Sequence, residues 1–204
     1  MNSTSETSGM KDCALVVVDM LGDFIDGSMA CLNAENAVKE AAAFLERLAA
    51  AETGGEEEIT GTVPVLFICD HHPADHCSFR ENGGLWPAHC VTGTPGSEIH
   101  PSLLPFVSDG LVFFKGCDKD MEQYSGWEGV NDAGQSVAEV LDLLDINKVH
   151  VCGIATEYCV KATAEDMLAA GKEVTLIGKA LGYVDRDGHV RALEEMRRKG
   201  IRII

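Results

Sequence analysis

Lys148-Val149-His150-Val151-Cys152-Gly153-Ile154-Ala155-Thr156-Glu157-Tyr158-Cys159-Val160 is the stretch from which the rest of the chain can be read. Val149, Val151 and Cys152 make a short apolar run, and Val160, Ala164, Met167 and Leu168 then recur at helical spacing until Gly171. A buried strand feeding straight into an amphipathic helix is the repeating unit of a parallel α/β sheet. Cys159 falls at the start of that helix. Unpaired backbone N–H groups and the helix dipole favour an anion there, which would acidify a thiol and offer donors to a developing oxyanion. The competing reading is a packing cysteine, since free cysteine is among the most buried residue types.

Moving outward, Ala14-Leu15-Val16-Val17-Val18 is a continuous apolar run that ends at Asp19, and Leu111-Val112-Phe113-Phe114 ends at Lys115. In an open parallel sheet the ligand crevice lies beyond the carboxyl ends of the strands, so Asp19, Lys115 and Cys159 are expected to converge there. A carboxylate can take the thiol proton, and an ammonium can hold thiolate and carboxylate together. Taken singly, Asp19 also reads as a cap and Lys115 as a strand-edge solubiliser. Further strands are expected at Val63–Cys69, Lys148–Cys152, Val174–Ile177 and Ile201–Ile204. Helices are expected from Asn33 through Leu48, over Gln135–Leu144, after Cys159 and over Val190–Arg198. The fold class is therefore a three-layer α/β/α arrangement around a largely parallel six-stranded sheet. Residues 1–11 read as a loose polar tail before one domain over 12–204, and Glu52–Glu58 as an acidic solvated loop.

A second cluster follows the strand at Val63–Cys69: Asp70-His71-His72-Pro73-Ala74-Asp75-His76-Cys77-Ser78-Phe79, then Trp86-Pro87-Ala88-His89-Cys90. Asp70, His72 and His89 can offer one oxygen and two imidazole nitrogens to a divalent cation, leaving positions open as a catalytic site requires. A hydrogen-bonded cluster that only shapes the long loop up to Pro105 is the alternative. His71 reads as an exposed neighbour and Cys90 as a packing thiol.

On these residues the chain, from Ala14 onward, resembles the isochorismatase-like cysteine hydrolases and, within them, the nicotinamidases. The resemblance implies a Rossmann-like fold and a catalytic triad of Asp19, Lys115 and Cys159. It also implies a cis bond before Ala155 and an oxyanion hole made by the N–H groups of Ala155 and Cys159. Asp70, His72 and His89 match the metal ligands, holding zinc in the first instance and iron or manganese otherwise, with the ligand's pyridine nitrogen completing the coordination. His76 matches an extra ligand of some members. Phe24 and Trp86 match ring-pocket positions, whereas Tyr124 reads equally as pocket or core. The implied reaction is nicotinamide plus water to nicotinate and ammonia through a Cys159 thioester. A departure at Met121–Trp127, where an aromatic commonly follows Ser-Ala, leaves the pocket wall open. Hydrolysis of another small amide or a ureido compound, and a non-catalytic metal-binding scaffold, are the other readings.

Composition sets bounds. The 204 residues suit one domain with a fully buried sheet. A net charge of −17 excludes nucleic acid and anionic membrane as expected partners, since a phosphate-binding face needs clustered Lys and Arg. The expected partner is a small carboxamide, and self-association is left open. Eight cysteines without small-domain spacing, no charged-then-apolar opening segment and no membrane-length apolar run lead to an expected reducing cytoplasm. There is no internal repeat and no glycine-rich phosphate loop to compete for the crevice.

Overall fold

A computed structural model describes residues 12–54 and 63–204. Among these it contains strands β1 (Cys13–Val18), β2 (Val65–Asp70), β3 (Val112–Lys115), β4 (Lys148–Gly153), β5 (Glu173–Leu181) and β6 (Arg202–Ile203). They pair in the order β3-β2-β1-β4-β5-β6, every pairing parallel. All six residues of β1 are buried, as a strand covered on both faces should be, and this explains its unbroken apolar sequence. Chain order runs outward from β1 to β3 on one side and from β4 to β6 on the other. The sheet therefore changes direction between β1 and β4, and a crevice opens beyond their carboxyl ends.

Helices α1 (Gly22–Ile25) and α2 (Ala34–Gly54) cover one face, while α3 (Val137–Leu143), α4 (Lys161–Ala169) and α5 (Arg186–Lys199) cover the other. Leu15, Val17 and Phe67 pack with Ala37, Ala41, Phe44 and Leu48 of α2. Val16, Val18 and Ile68, which alternate with them along the strands, pack with Leu141, Ala164 and Met196. The expected three layers and six strands are present.

Boundaries differ from expectation for local reasons. Helix α2 continues through Glu52, Thr53 and Gly54, because Ala49-Ala50-Ala51-Glu52 prolongs a good helix-forming run; the backbone expected as acidic loop is helical there. Residues 55–62, like the tail expected over 1–11, lie outside the described residues. The buried face of α2 uses Ala41, with Ala42 only half-buried. Helix α5 begins at Arg186, a turn earlier than expected, because Asp185 caps it by accepting the Gly188 N–H at 2.6 Å. Gly188 in the first turn disguised that start. Strand β5 runs on to Leu181, past the Gly178 and Lys179 that interrupt its apolar pattern. No helix among the described residues is long and apolar enough to cross a membrane.

One half-buried imidazole is expected to make the stability of this core pH-dependent. His150, in β4 with its ring 6.4 Å from Phe44, has an Nδ1 closed to solvent and without a partner. Burial, helped by Arg202, pushes its pKa below the ordinary value. On acidification the unfolded chain takes up this proton before the folded one does, so stability is lost as pH falls through about 6.5. His150→Leu is expected to gain melting temperature relative to the wild type between about pH 8 and about pH 5.5. A difference that stays constant over that interval contradicts the assignment.

Candidate active site

Asp19 follows β1 directly, with φ 48, a left-handed conformation that aspartate tolerates and that turns the chain sharply after Val18. Its Oδ1 accepts the Asp70 N–H at 2.8 Å, which ties the ends of β1 and β2 together. Lys115 is the last residue of β3, directly opposite Asp70 in the sheet register. Its ammonium is 2.9 Å from Asp19 Oδ2, forms an ion pair with Asp70 Oδ1 and lies 3.4 Å from Cys159 Sγ. Oδ2 of Asp19 has no well-directed hydrogen bond, so its contact with the ammonium is an ion pair that leaves a lone pair to receive a proton. Cys159 comes from the far side of the switch point, in a π turn at Thr156–Val160 that leads into α4. Thus the structure brings Asp19, Lys115 and Cys159 together, all buried.

The electrostatics follow from placing these groups out of water. Burial pulls the Lys115 pKa down, but Asp19 and Asp70 outweigh it and hold the ammonium well above the ordinary lysine range. Burial pushes Asp70 up, and Lys115 with His72 more than reverse this, so it is a carboxylate well below the usual range. Asp19 moves the other way: burial and the Asp70 charge push it up to about 6 against the pull of Lys115. Burial also raises the Cys159 thiol well above its ordinary value, with Lys115 opposing and Asp19 and Asp70 reinforcing. These surroundings oppose the acidification expected of a thiol at a helix start. Burial and the two carboxylates thus favour the neutral thiol, which stands beside a carboxylate able to accept its proton.

The second trio stands next to the first. One donor atom from each of Asp70, His72 and His89 lies within 4.8 Å of the others, close enough for a single cation. Both histidines are oriented through Nδ1, which lies 2.9 Å from the Gly116 carbonyl in His72 and 2.8 Å from that of Pro87 in His89. A carbonyl can only accept, so each Nδ1 carries a hydrogen and, in the neutral ring, Nε2 is the nitrogen left to offer a lone pair, the arrangement metal-ligating histidines use. Gly116, at φ 66, permits this approach: a Cβ there would sit 2.3 Å from His72 Cε1. The donors present fit a divalent metal of borderline softness. His76, kept as an extra ligand by resemblance, does not join them. Its Nδ1 faces Ser78 Oγ at 2.7 Å, its Nε2 faces the Met121 carbonyl at 3.1 Å, and its ring stacks on His72 at 4.1 Å. Cys90 is fully buried in the core, whereas His71 is half-buried against Phe114 rather than exposed.

A cleft of about 390 Å³, including its open mouth, joins Cys159 to Asp70 and His89. Phe24, Trp86 and Tyr124, the three expected pocket residues, line it. Trp86 donates Nε1–H to the Tyr124 hydroxyl at 3.2 Å. Tyr158 was missed; it completes the box edge-on to Trp86 at 5.1 Å, and its adjacency to Cys159 was the available signal. Met29, Cys31 and Val184 form another wall that no motif announced. Asp23 was also missed: its carboxylate accepts the N–H groups of Ser28 at 3.0 Å and Cys90 at 2.8 Å, fastening the loop that carries His89 to α1. At the departure noted above, Gly126 leaves no room for alanine, since a Cβ would meet Ile68 Cγ2 at 2.4 Å. The bond between Ile154 and Ala155 is cis, and the Ala155 N–H finds no acceptor among the described residues.

A model of the isochorismatase domain matches residues 13–204. The nicotinamidase/pyrazinamidase of Mycobacterium tuberculosis is 34% identical over 194 residues, covering 94% of this chain and 97% of its own. The crystal structure of the Pyrococcus horikoshii pyrazinamidase in complex with zinc superposes with a TM-score of 0.81 at 36% identity, covering 95% of this chain and 98% of that one. PnC1 from L. infantum in complex with nicotinate gives 0.77 at 26% identity, with 95% and 92% covered.

His72→Ala and His89→Ala should each weaken divalent-metal binding more than the roughly 10-fold that loss of an outer hydrogen-bond partner costs, and His76→Ala should cost less than either. Elemental analysis with competitive chelator titration measures this. Equal losses in all three variants, or a wild type that binds no metal, would return the cluster to a purely hydrogen-bonded role.

Proposed function

The chain belongs to the isochorismatase domain family, and from that premise we propose that it is an amidohydrolase converting nicotinamide and water to nicotinate and ammonia. The observation that carries this reading is the sharing of one aromatic cleft by a lysine-bridged carboxylate–thiol pair and an Asp-His-His donor set. In this reading Asp19, Lys115 and Cys159 are catalytic, Phe24, Trp86 and Tyr124 hold the ring, and Ala155 and Cys159 offer N–H groups to the oxyanion. Asp70, His72 and His89 would hold one divalent ion, zinc before iron or manganese. That ion, when bound, supplies a Lewis-acidic position for the ring nitrogen.

Asp19 Oδ2 accepts the thiol proton as Sγ bonds to the amide carbon, and the carbonyl electrons move onto oxygen, where the Ala155 and Cys159 N–H groups meet them. Lys115 keeps its charge throughout and balances the negative charge as it passes between carboxylate and sulfur. When the tetrahedral intermediate collapses, the carbon–nitrogen bond breaks, and Asp19 returns its proton to the departing nitrogen, leaving a thioester and ammonia. A water then loses a proton to Asp19 and attacks the thioester carbon. Collapse of this second intermediate breaks the carbon–sulfur bond, and Asp19 reprotonates sulfur. The raised pKa of Asp19 suits a group that must both take and give a proton. We place this chemistry in a reducing cytoplasm, a reading supported by eight cysteines that all stand as free thiols.

Ammonia release should fall to background in Cys159→Ala. Asp19→Asn and Lys115→Met should each reduce turnover by about 10²- to 10⁴-fold, and less than additively when combined. Benzamide, which keeps the carboxamide but lacks the ring nitrogen, should be turned over far less efficiently than nicotinamide. Substantial activity in Cys159→Ala would falsify the covalent route, and equal turnover of the two amides would remove the ring-nitrogen contact from the reading.

A further inference from the structure

The turn that carries Cys159 is fastened to a second loop, residues 182–185, by side chains that take no part in the chemistry above. Glu157 Oε1 accepts the backbone N–H groups of Val184 at 2.9 Å and Asp185 at 2.7 Å. Next to it, Thr156 donates both its N–H and its hydroxyl to the Gly182 carbonyl, each at 2.9 Å. With that hydrogen committed, the Thr156 oxygen is left to accept Nδ1–H of His189 at 3.0 Å. In the middle of the loop, Tyr183 exchanges two backbone hydrogen bonds with Leu32, at 2.7 and 3.0 Å. Leu32 ends the segment that holds Met29 and Cys31, which with Val184 make one wall of the cleft. Val184 thus hangs directly on the Glu157 carboxylate, and the Met29–Cys31 segment, whose own N–H groups bond the Asp23 and Phe24 carbonyls, is joined to it through the Leu32–Tyr183 bridge.

The chemistry of that grip is specific. Val184 and Asp185 immediately precede the 14-residue α5, where N–H groups lie outside the helical ladder and need an outside acceptor. A carboxylate there also meets the favourable end of the helix dipole. The first turn of α5 packs against the same side chain, since a Cβ on Gly188 would stand 3.5 Å from Glu157 Cγ.

We infer that Glu157 is a positioning residue, holding the Met29, Cys31 and Val184 wall in place against the nucleophile turn and so setting where a bound ring amide presents its carbonyl carbon to Cys159. This rests on the amide-hydrolase reading above. Without the Oε1 acceptor the Val184 side of the wall is released, while Asp19, Lys115 and the thiol keep their own contacts. Substrate alignment is lost and thiol reactivity is retained.

The test compares two rates in the metal-loaded enzyme: kcat/KM for nicotinamide, and alkylation of Cys159 by iodoacetamide, which has no ring to align, followed by peptide mass spectrometry. Glu157→Ala should lower the first by about 10- to 100-fold, the scale of a misplaced substrate, and leave the second nearly unchanged. Glu157→Gln keeps a neutral acceptor oxygen and should recover most of the loss. Should Glu157→Ala not fold, Val184→Ala carries the test, with a raised KM and unchanged alkylation expected. A parallel fall in both rates, no recovery in Glu157→Gln, or an unchanged kcat/KM in Glu157→Ala or Val184→Ala overturns the inference. An active wild type in these assays separates that failure from failure of the hydrolase reading, which an inert wild type would signal and which would take this inference with it.

Discussion

A single buried ammonium, that of Lys115, is the constraint on which the rest of the site depends. Removing a charged amine from water costs several kcal/mol, and only close opposite charge makes the burial tolerable. Asp19 and Asp70 provide it from the two neighbouring strand ends. Their placement requires the pairing of β1, β2 and β3 to be fixed to the residue, because a slip of one position would turn Asp70 or Lys115 to the opposite face of the sheet. Loss of the ammonium would leave two buried carboxylates uncompensated, a change of the kind that costs about 3–5 kcal/mol. Fold and chemistry therefore share their most expensive element. The thiol benefits from an arrangement that the sheet needs in any case.

Around this centre the parts divide by origin. The reacting groups sit on strand ends or on the turn that follows β4, where hydrogen bonds to neighbouring strands hold them rigidly. The groups that line the cleft come from connections: Phe24 from the one-turn α1, Trp86 from the long loop after β2, Tyr124 from the segment after β3, and Val184 from the loop before α5. Asp23 and Glu157 join these connections to one another by accepting backbone N–H groups from distant segments. Irregular backbone is thereby held without secondary structure of its own.

Much of this was legible in the sequence, and what was not has a common cause. Strands buried on both faces are read as unbroken apolar runs, so Asp19 and Lys115 stood out as charges at their ends. Three imidazoles between Asp70 and His76, followed by His89, stood out by residue type. The pKa of Cys159 did not, because local sequence suggests a helix start while its environment is set by tertiary burial and two carboxylates from other strands. His76 could not be separated from His72 and His89 by spacing; only the positions of Ser78 and the Met121 carbonyl occupy both of its nitrogens. Asp23 and Glu157 were silent for a similar reason, since an acid in a turn looks the same whether it faces solvent or holds a remote amide. The late start assigned to α5 and the early end assigned to α2 reflect glycines and charges that mark turns in isolation but lie inside helices here.

Asp70 belongs to both halves of the site. One of its oxygens holds Lys115 and the other faces Nε2 of His72, while its backbone N–H is bound to Asp19. In the proposed reading two tasks are therefore written in a single codon. If the chain holds the proposed ion, a lineage that abandoned it could discard His72 or His89 one at a time, but it could not replace Asp70 without unsettling the lysine as well. Such a descendant would be expected to carry the aspartate as a relic, outliving the histidines that once stood beside it.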